Sequence, residues 1–214
     1  SGKFEVTVAR TQYTWKCEKW LVQFALNDGR TRENLPEPKA DASFTPDFSR
    51  YNVVVSNLGY KAAPWPEATQ KAFEAFVAGG GCFVAVHAAN NSFPEWKAYN
   101  RMIGIGGWGG RTERDGPYVY YDKAGKLVRD PTPGPGGAHG PQHEFVIEVR
   151  ADHPITRGMP RRWLHTKDEC YDRLRGPAEN MTVLATAYSS SKHKGTDRHE
   201  PMLMAIDHGR GRVF

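Results

Sequence analysis

The chain has 214 residues, 39% of them apolar and 25% charged, which suits one α/β domain able to bury a core and excludes collagen, coiled coil and low complexity. Lys and Arg number 29 against 24 Asp and Glu, giving a formal charge of +5, and the positive residues are scattered. That balance reads as a solvated surface rather than a nucleic-acid footprint, and no run reaches the roughly 18 apolar residues of a membrane helix, so neither nucleic acid nor membrane is expected as a partner.

In chain order, Phe4 to Val8 alternates apolar and polar residues, a strand signal. Tyr51-Asn52-Val53-Val54-Val55-Ser56 is a short β-branched run of the kind buried in parallel sheets. Pro64 to Glu67 opens a helix, with Ala68, Ala72, Phe73, Phe76 and Val77 at helical spacing. Gly79-Gly80-Gly81 stops it, and Cys82 to Val86 forms the next buried strand, ending at His87. Ser92 and Glu95 have capping-box spacing and predict a helix through Tyr99. Two such passes predict a parallel, doubly wound α/β sheet.

From Gly104 to Gly140 the chain is rich in Gly and Pro, with a hairpin over Tyr118 to Tyr121 and Lys126 to Val128. Glu144 to Val149, Thr182 to Ala187 and Met202 to Ile206 read as further strands. The three cysteines, Cys17, Cys82 and Cys170, form neither a disulfide framework nor a metal knuckle.

In open parallel sheets ligands bind beyond the carboxyl ends of the strands, and His87 sits at such an end. An imidazole there can be a metal ligand or a general base. His139 and His143 lie four apart, but Gly140 and Pro141 argue against the helix that would make this a zinc pair. His139 therefore reads as a loop residue, whereas His143, just before a strand, can point into the site. Asp152 and His153 read as local turn formers. Glu169, beside Asp168, Cys170 and Tyr171, has a semi-buried context suited to acid–base work or metal binding, with a surface salt bridge as the alternative. In Gly106 to Arg111 the glycines permit close backbone approach, Trp108 offers a stacking face and Arg111 a fork of donors. With Asn90 and Asn91 this is a carbohydrate-like palette.

Taken together, Tyr51–Ser56, Gly79–Phe93 around His87, Ile105–Arg111, His143-Glu-Phe, His153-Pro-Ile-Thr, Asp168–Tyr171 and His199-Glu-Pro-Met resemble the ThuA-like (trehalose utilisation) family. The resemblance covers residues 44–214 and 4–10. It implies one domain with the flavodoxin-like, three-layer sandwich of the class I glutamine amidotransferase-like superfamily, its parallel sheet doubly wound. It places the family's first strand and helix before Ser1, and marks residues 13–40 as an insertion or divergent segment. It also implies a small-molecule carbohydrate partner, a keto-glycoside or related sugar, with hydrolase, lyase or isomerase chemistry. His87, His143 and Glu169 are expected to gather as the catalytic residues, either holding a divalent metal, zinc or similar, or sharing acid–base duty, with Asn91, Trp108 and Arg111 orienting the sugar. Glutamine hydrolysis is not expected, because His87 stands where the nucleophilic cysteine would be. A non-catalytic carbohydrate-binding or scaffold domain is the competing reading. No signal peptide is visible, a leader upstream stays open, and so do a periplasmic or secreted location and a homo-oligomer.

Overall fold

The computed structural model describes residues 2–11, 13–15, 33–35 and 37–214. Cys17 and most of the segment 13–40 lie outside the described residues. Two short strands there, β1 (Tyr13–Trp15) and β2 (Glu33–Leu35), pair in parallel.

The main sheet runs in the order β3 (Val53–Ser56), β4 (Cys82–Ala85), β13 (Gly211–Val213), β12 (Arg198–His208), β11 (Met181–Ser189), β8 (His143–Val149) and β9 (Arg162–Asp168). The hairpin β5 (Tyr118–Tyr121) and β6 (Leu127–Asp130) joins it at β12. β3, β4 and β13 are mutually parallel, whereas every pairing from β13 through β12, β11 and β8 to β9 is antiparallel. The fold is thus mixed α/β with few helices, and parallel pairing in the main sheet is confined to β3, β4 and β13 rather than running through a doubly wound sheet. Parallel neighbours need long crossovers, usually helical. Among the described residues the α-helices are α1 (Glu67–Ala78) and α2 (Lys97–Ile103), both before β5, so the later strands join by turns and pair antiparallel.

α1 buries Phe73 and Val77 against an aromatic core that includes Phe48, Trp65, Phe83, Trp96 and Tyr99. α2 starts later than the capping-box spacing predicts. The Ser92 hydroxyl donates to Gly59 O at 3.0 Å instead of capping a helix, and residues 87–91 form a 3-10 turn. Phe4 to Val8 forms no strand, and Phe4, Val6 and Val8 are exposed. No helix among the described residues is long and apolar enough to cross a membrane.

Two buried arginines pin the loops. Arg111, 2% exposed, donates to Gly107 O at 2.7 Å, Ser92 O at 3.0 Å and Asn100 Oδ1 at 2.6 Å. Its guanidinium is therefore spent on the fold, which corrects its expected role as a sugar ligand. Arg175, fully buried, donates to Gly116 O, Thr132 O and Gly134 O and lies 3.9 Å over the Tyr118 ring, while Nη2 has no hydrogen-bond partner. Gly107 and Gly137 cross here: a Cβ on Gly137 would stand 2.5 Å from Gly107 Cα, and Gly137 has φ +81°. Arg111→Met strands three acceptors in a dry interior and is expected to cost about 2–4 kcal/mol in urea denaturation, with Arg111→Lys restoring only part, because an ammonium lacks the planar fork.

Candidate active site

β4 and β9 are separated by four intervening strands. In a flat sheet that distance would be on the order of 24 Å, from five steps of roughly 4.8 Å. Yet His87, just past β4, and Asp168, ending β9, approach within 4.0 Å. The sheet is curled, and its two ends close over a cavity of about 320 Å³.

His87 has φ 50°, a left-handed conformation costly for a non-glycine residue and common at functional turns. The sharp turn after the strand aims the imidazole across the cavity mouth. Its Nε2 lies 3.8 Å from Glu169 Oε2 and its Nδ1 3.4 Å from the Tyr171 hydroxyl. The other Glu169 oxygen lies 3.7 Å from Nε2 of His139, and Asp168 Oδ2 lies 3.4 Å from Nε2 of His165. The imidazole–carboxylate separations are wider than hydrogen bonds, so these groups face one another with room for a ligand atom. Burial, reinforced by the Glu169 charge, pushes the Tyr171 phenol well above its usual range, which keeps it a proton donor.

β10 (Tyr171–Asp172) pairs with β7 (Ala138–His139), Tyr171 standing opposite His139. That pairing brings His139 into the cluster, although the sequence reads as a loop there. The Tyr171 and His139 rings are stacked, and Trp108 packs edge-on to Tyr171 with ring centroids 5.0 Å apart. Trp108 thus backs the cluster and is not among the residues lining the cavity. Asn91 is buried too. Its Oδ1 accepts from Gly107 N at 3.0 Å, which ties it to the glycine loop beside the cluster. Asn90, its neighbour, does line the cavity and carries a buried Oδ1 without a partner.

His143 is not brought to the cavity. Its ring stacks on His193 at 3.8 Å, and its Nδ1 faces Pro141 O at 3.0 Å. The expected metal set of His87, His143 and Glu169 therefore does not assemble. Among the described residues no group of three His, Cys, Asp or Glu side chains is arranged to hold a metal ion. The described residues do not fit the expected metal.

His153 makes the local turn bonds its motif predicts, its Nδ1 accepting from Ile155 N, whereas Asp152 pairs with Arg161 at 2.9 Å. Burial pushes the Cys170 thiol up to about 12, which makes it a poor nucleophile.

Behind β10 lie two buried carboxyls. Asp172 accepts from Ser189 Oγ and Arg173 Nε, and Glu200 accepts from Thr196 Oγ1 at 2.7 Å. Burial raises both, Glu200 up to about 7.

The fold and this cluster define an α/β protein with imidazoles and carboxylates gathered where a curled sheet closes on itself. The chain belongs to the ThuA family, described as trehalose utilisation, whose model matches residues 6–214. That membership gives it a carbohydrate-related role. A ThuA-like protein from Parabacteroides merdae has a similar crystal structure, with a TM-score of 0.78 and 39% identity over 96% of this chain and 78% of that one. Another, from Bacteroides uniformis, shares the fold at a TM-score of 0.52 and 20% identity, over 99% of this chain and 84% of that one. Comparison with curated proteins gave no match.

Glu200 makes the stability of the fold depend on pH. An unfolded glutamate releases its proton near 4.5, before the folded one does, so this residue's contribution is intact below that pH and declines as pH rises toward about 7. Glu200→Gln is expected to gain up to about 3 kcal/mol over the parent at pH 8 and to lose that gain at pH 4, read by urea denaturation at both pH values.

Proposed function

We propose that the protein is a carbohydrate-processing enzyme that moves a proton on a keto-glycoside or related sugar. The observation that carries this reading is the Glu169 carboxylate standing 3.8 and 3.7 Å from the imidazoles of His87 and His139 at the cavity mouth. Glu169 is the base. It takes the proton from the carbon beside the sugar carbonyl, the C–H electron pair forms a C=C bond to the carbonyl carbon, and the carbonyl π pair moves onto its oxygen. The un-ionised phenol of Tyr171 and an imidazole N–H of His87 face the place where that negative charge develops and donate to it. Asp168 and His165 flank the same opening and hold polar groups of the sugar. Trp108, packed edge-on, keeps Tyr171 in place.

The test follows solvent deuterium entering a 3-keto-glycoside by NMR. The parent is expected to exchange the proton beside the carbonyl, and Glu169→Gln to lower that rate by about 10² or more, with sugar binding retained. His87→Ala should reduce it as well. Sugar binding with no exchange or turnover in the parent would favour the non-catalytic carbohydrate-binding reading, and undiminished exchange in Glu169→Gln would remove Glu169 from its role.

A further inference from the structure

We infer that the cavity takes an amphipathic carbohydrate, a sugar unit carrying an apolar substituent, with that substituent seated on the inner face of the curled sheet. This rests on the carbohydrate reading above and adds the shape of the substrate. The cavity has two chemically different ends. Polar side chains gather at the mouth, where His87, Asn90, His165, Asp168, Glu169 and Tyr171 lie on or beside the closing ends of β4 and β9. Beyond them the wall is apolar, built by Phe145 and Ile147 of β8, Trp163 of β9, and Met202 and Met204 of β12.

That apolar wall is preformed. Phe145 and Ile147 are 7% and 5% exposed and belong to a buried cluster against which Trp163 and Met202 pack. The strand amides and carbonyls behind it are engaged in the β8–β9 and β11–β12 ladders. Apart from the Trp163 indole N–H, the side chains of this wall offer a ligand no hydrogen bond. A sugar hydroxyl pressed against it would leave water and find no partner, a loss that opposes binding. The hydroxyls of the ligand therefore belong at the mouth, and the rest of the cavity is suited to a group that gains by leaving water. Thioethers and an indole supply a face that adapts to chains or rings of differing shape.

The experiment is isothermal titration calorimetry with three probes: a methyl 3-keto-glucoside, the matching hexyl 3-keto-glucoside, and 1-hexanol. The hexyl glycoside is expected to bind roughly tenfold or more tightly than the methyl one. Trp163→Ala and Met204→Gln are each expected to bring that ratio toward one. Equal affinity of the two glycosides for the parent overturns the inference while leaving the carbohydrate reading intact, and so does a hexyl advantage untouched by both substitutions. Failure of both glycosides to bind, with or without binding of hexanol, overturns the carbohydrate reading and the inference together.

Discussion

Two guanidinium groups buried without a carboxylate hydrogen-bonded to either one hold the loops on which the site depends. Burying a cation is costly unless its donors are met, and here the partners are mostly backbone carbonyls. Arg111 gathers Gly107 and Ser92, and Arg175 gathers Gly116, Thr132 and Gly134. Carbonyls can converge on a guanidinium only where the chain comes close, and that is where the glycines stand. Gly107 and Gly137 cross with no room for a side chain. Trp108 N then reaches Gly136 O, and Gly137 N reaches Arg173 O, each at 2.8 Å. The next residues along those two segments are Ala138–His139 and Tyr171–Asp172, which pair as β7 and β10. The aromatic and imidazole rings of the site therefore hang from a loop network whose centre is electrostatic.

The second constraint is the curl of the sheet. A change from parallel to antiparallel pairing at β13 lets the chain continue without helices on both faces, and the free end of the sheet bends back. The residues that meet, His87 on one side and Asp168 and Glu169 on the other, are some eighty positions apart. Their meeting creates a cavity with charge at its opening and apolar side chains behind. Imidazoles and carboxylates thus share one opening in front of an apolar wall.

Much of this was legible in the sequence. The β-branched run before Ser56, the helical spacing of Phe73 and Val77, the stop at Gly79–Gly81 and the hairpin at Tyr118 all rest on local patterns, and local patterns survive folding. The placement of His87 and Glu169 was legible for the same reason: one follows a buried strand, the other sits in a semi-buried acidic turn. Arg111 and Asn91 have residue types common in sugar sites, but nothing local distinguishes a guanidinium facing solvent from one facing carbonyls four and nineteen positions away. His143 has the position of a site residue at the start of a strand, and its stack on His193, fifty positions later, is a contact no spacing announces. For His139 the reverse holds, since a two-residue strand pairing across more than thirty positions turns a loop histidine into a partner of Glu169.

The sequence by itself determined the family, the early strand–helix–strand order and the strand-end placement of His87, because each follows from short-range periodicity and from motifs read along the chain. Tertiary structure alone decided which histidines face Glu169, which polar side chains are spent on the scaffold, and that the cavity behind them is apolar. The reason is geometric: a sheet's curl and a buried cation's choice of carbonyls are set by contacts between residues far apart in sequence, and those contacts exist only once the chain has closed on itself.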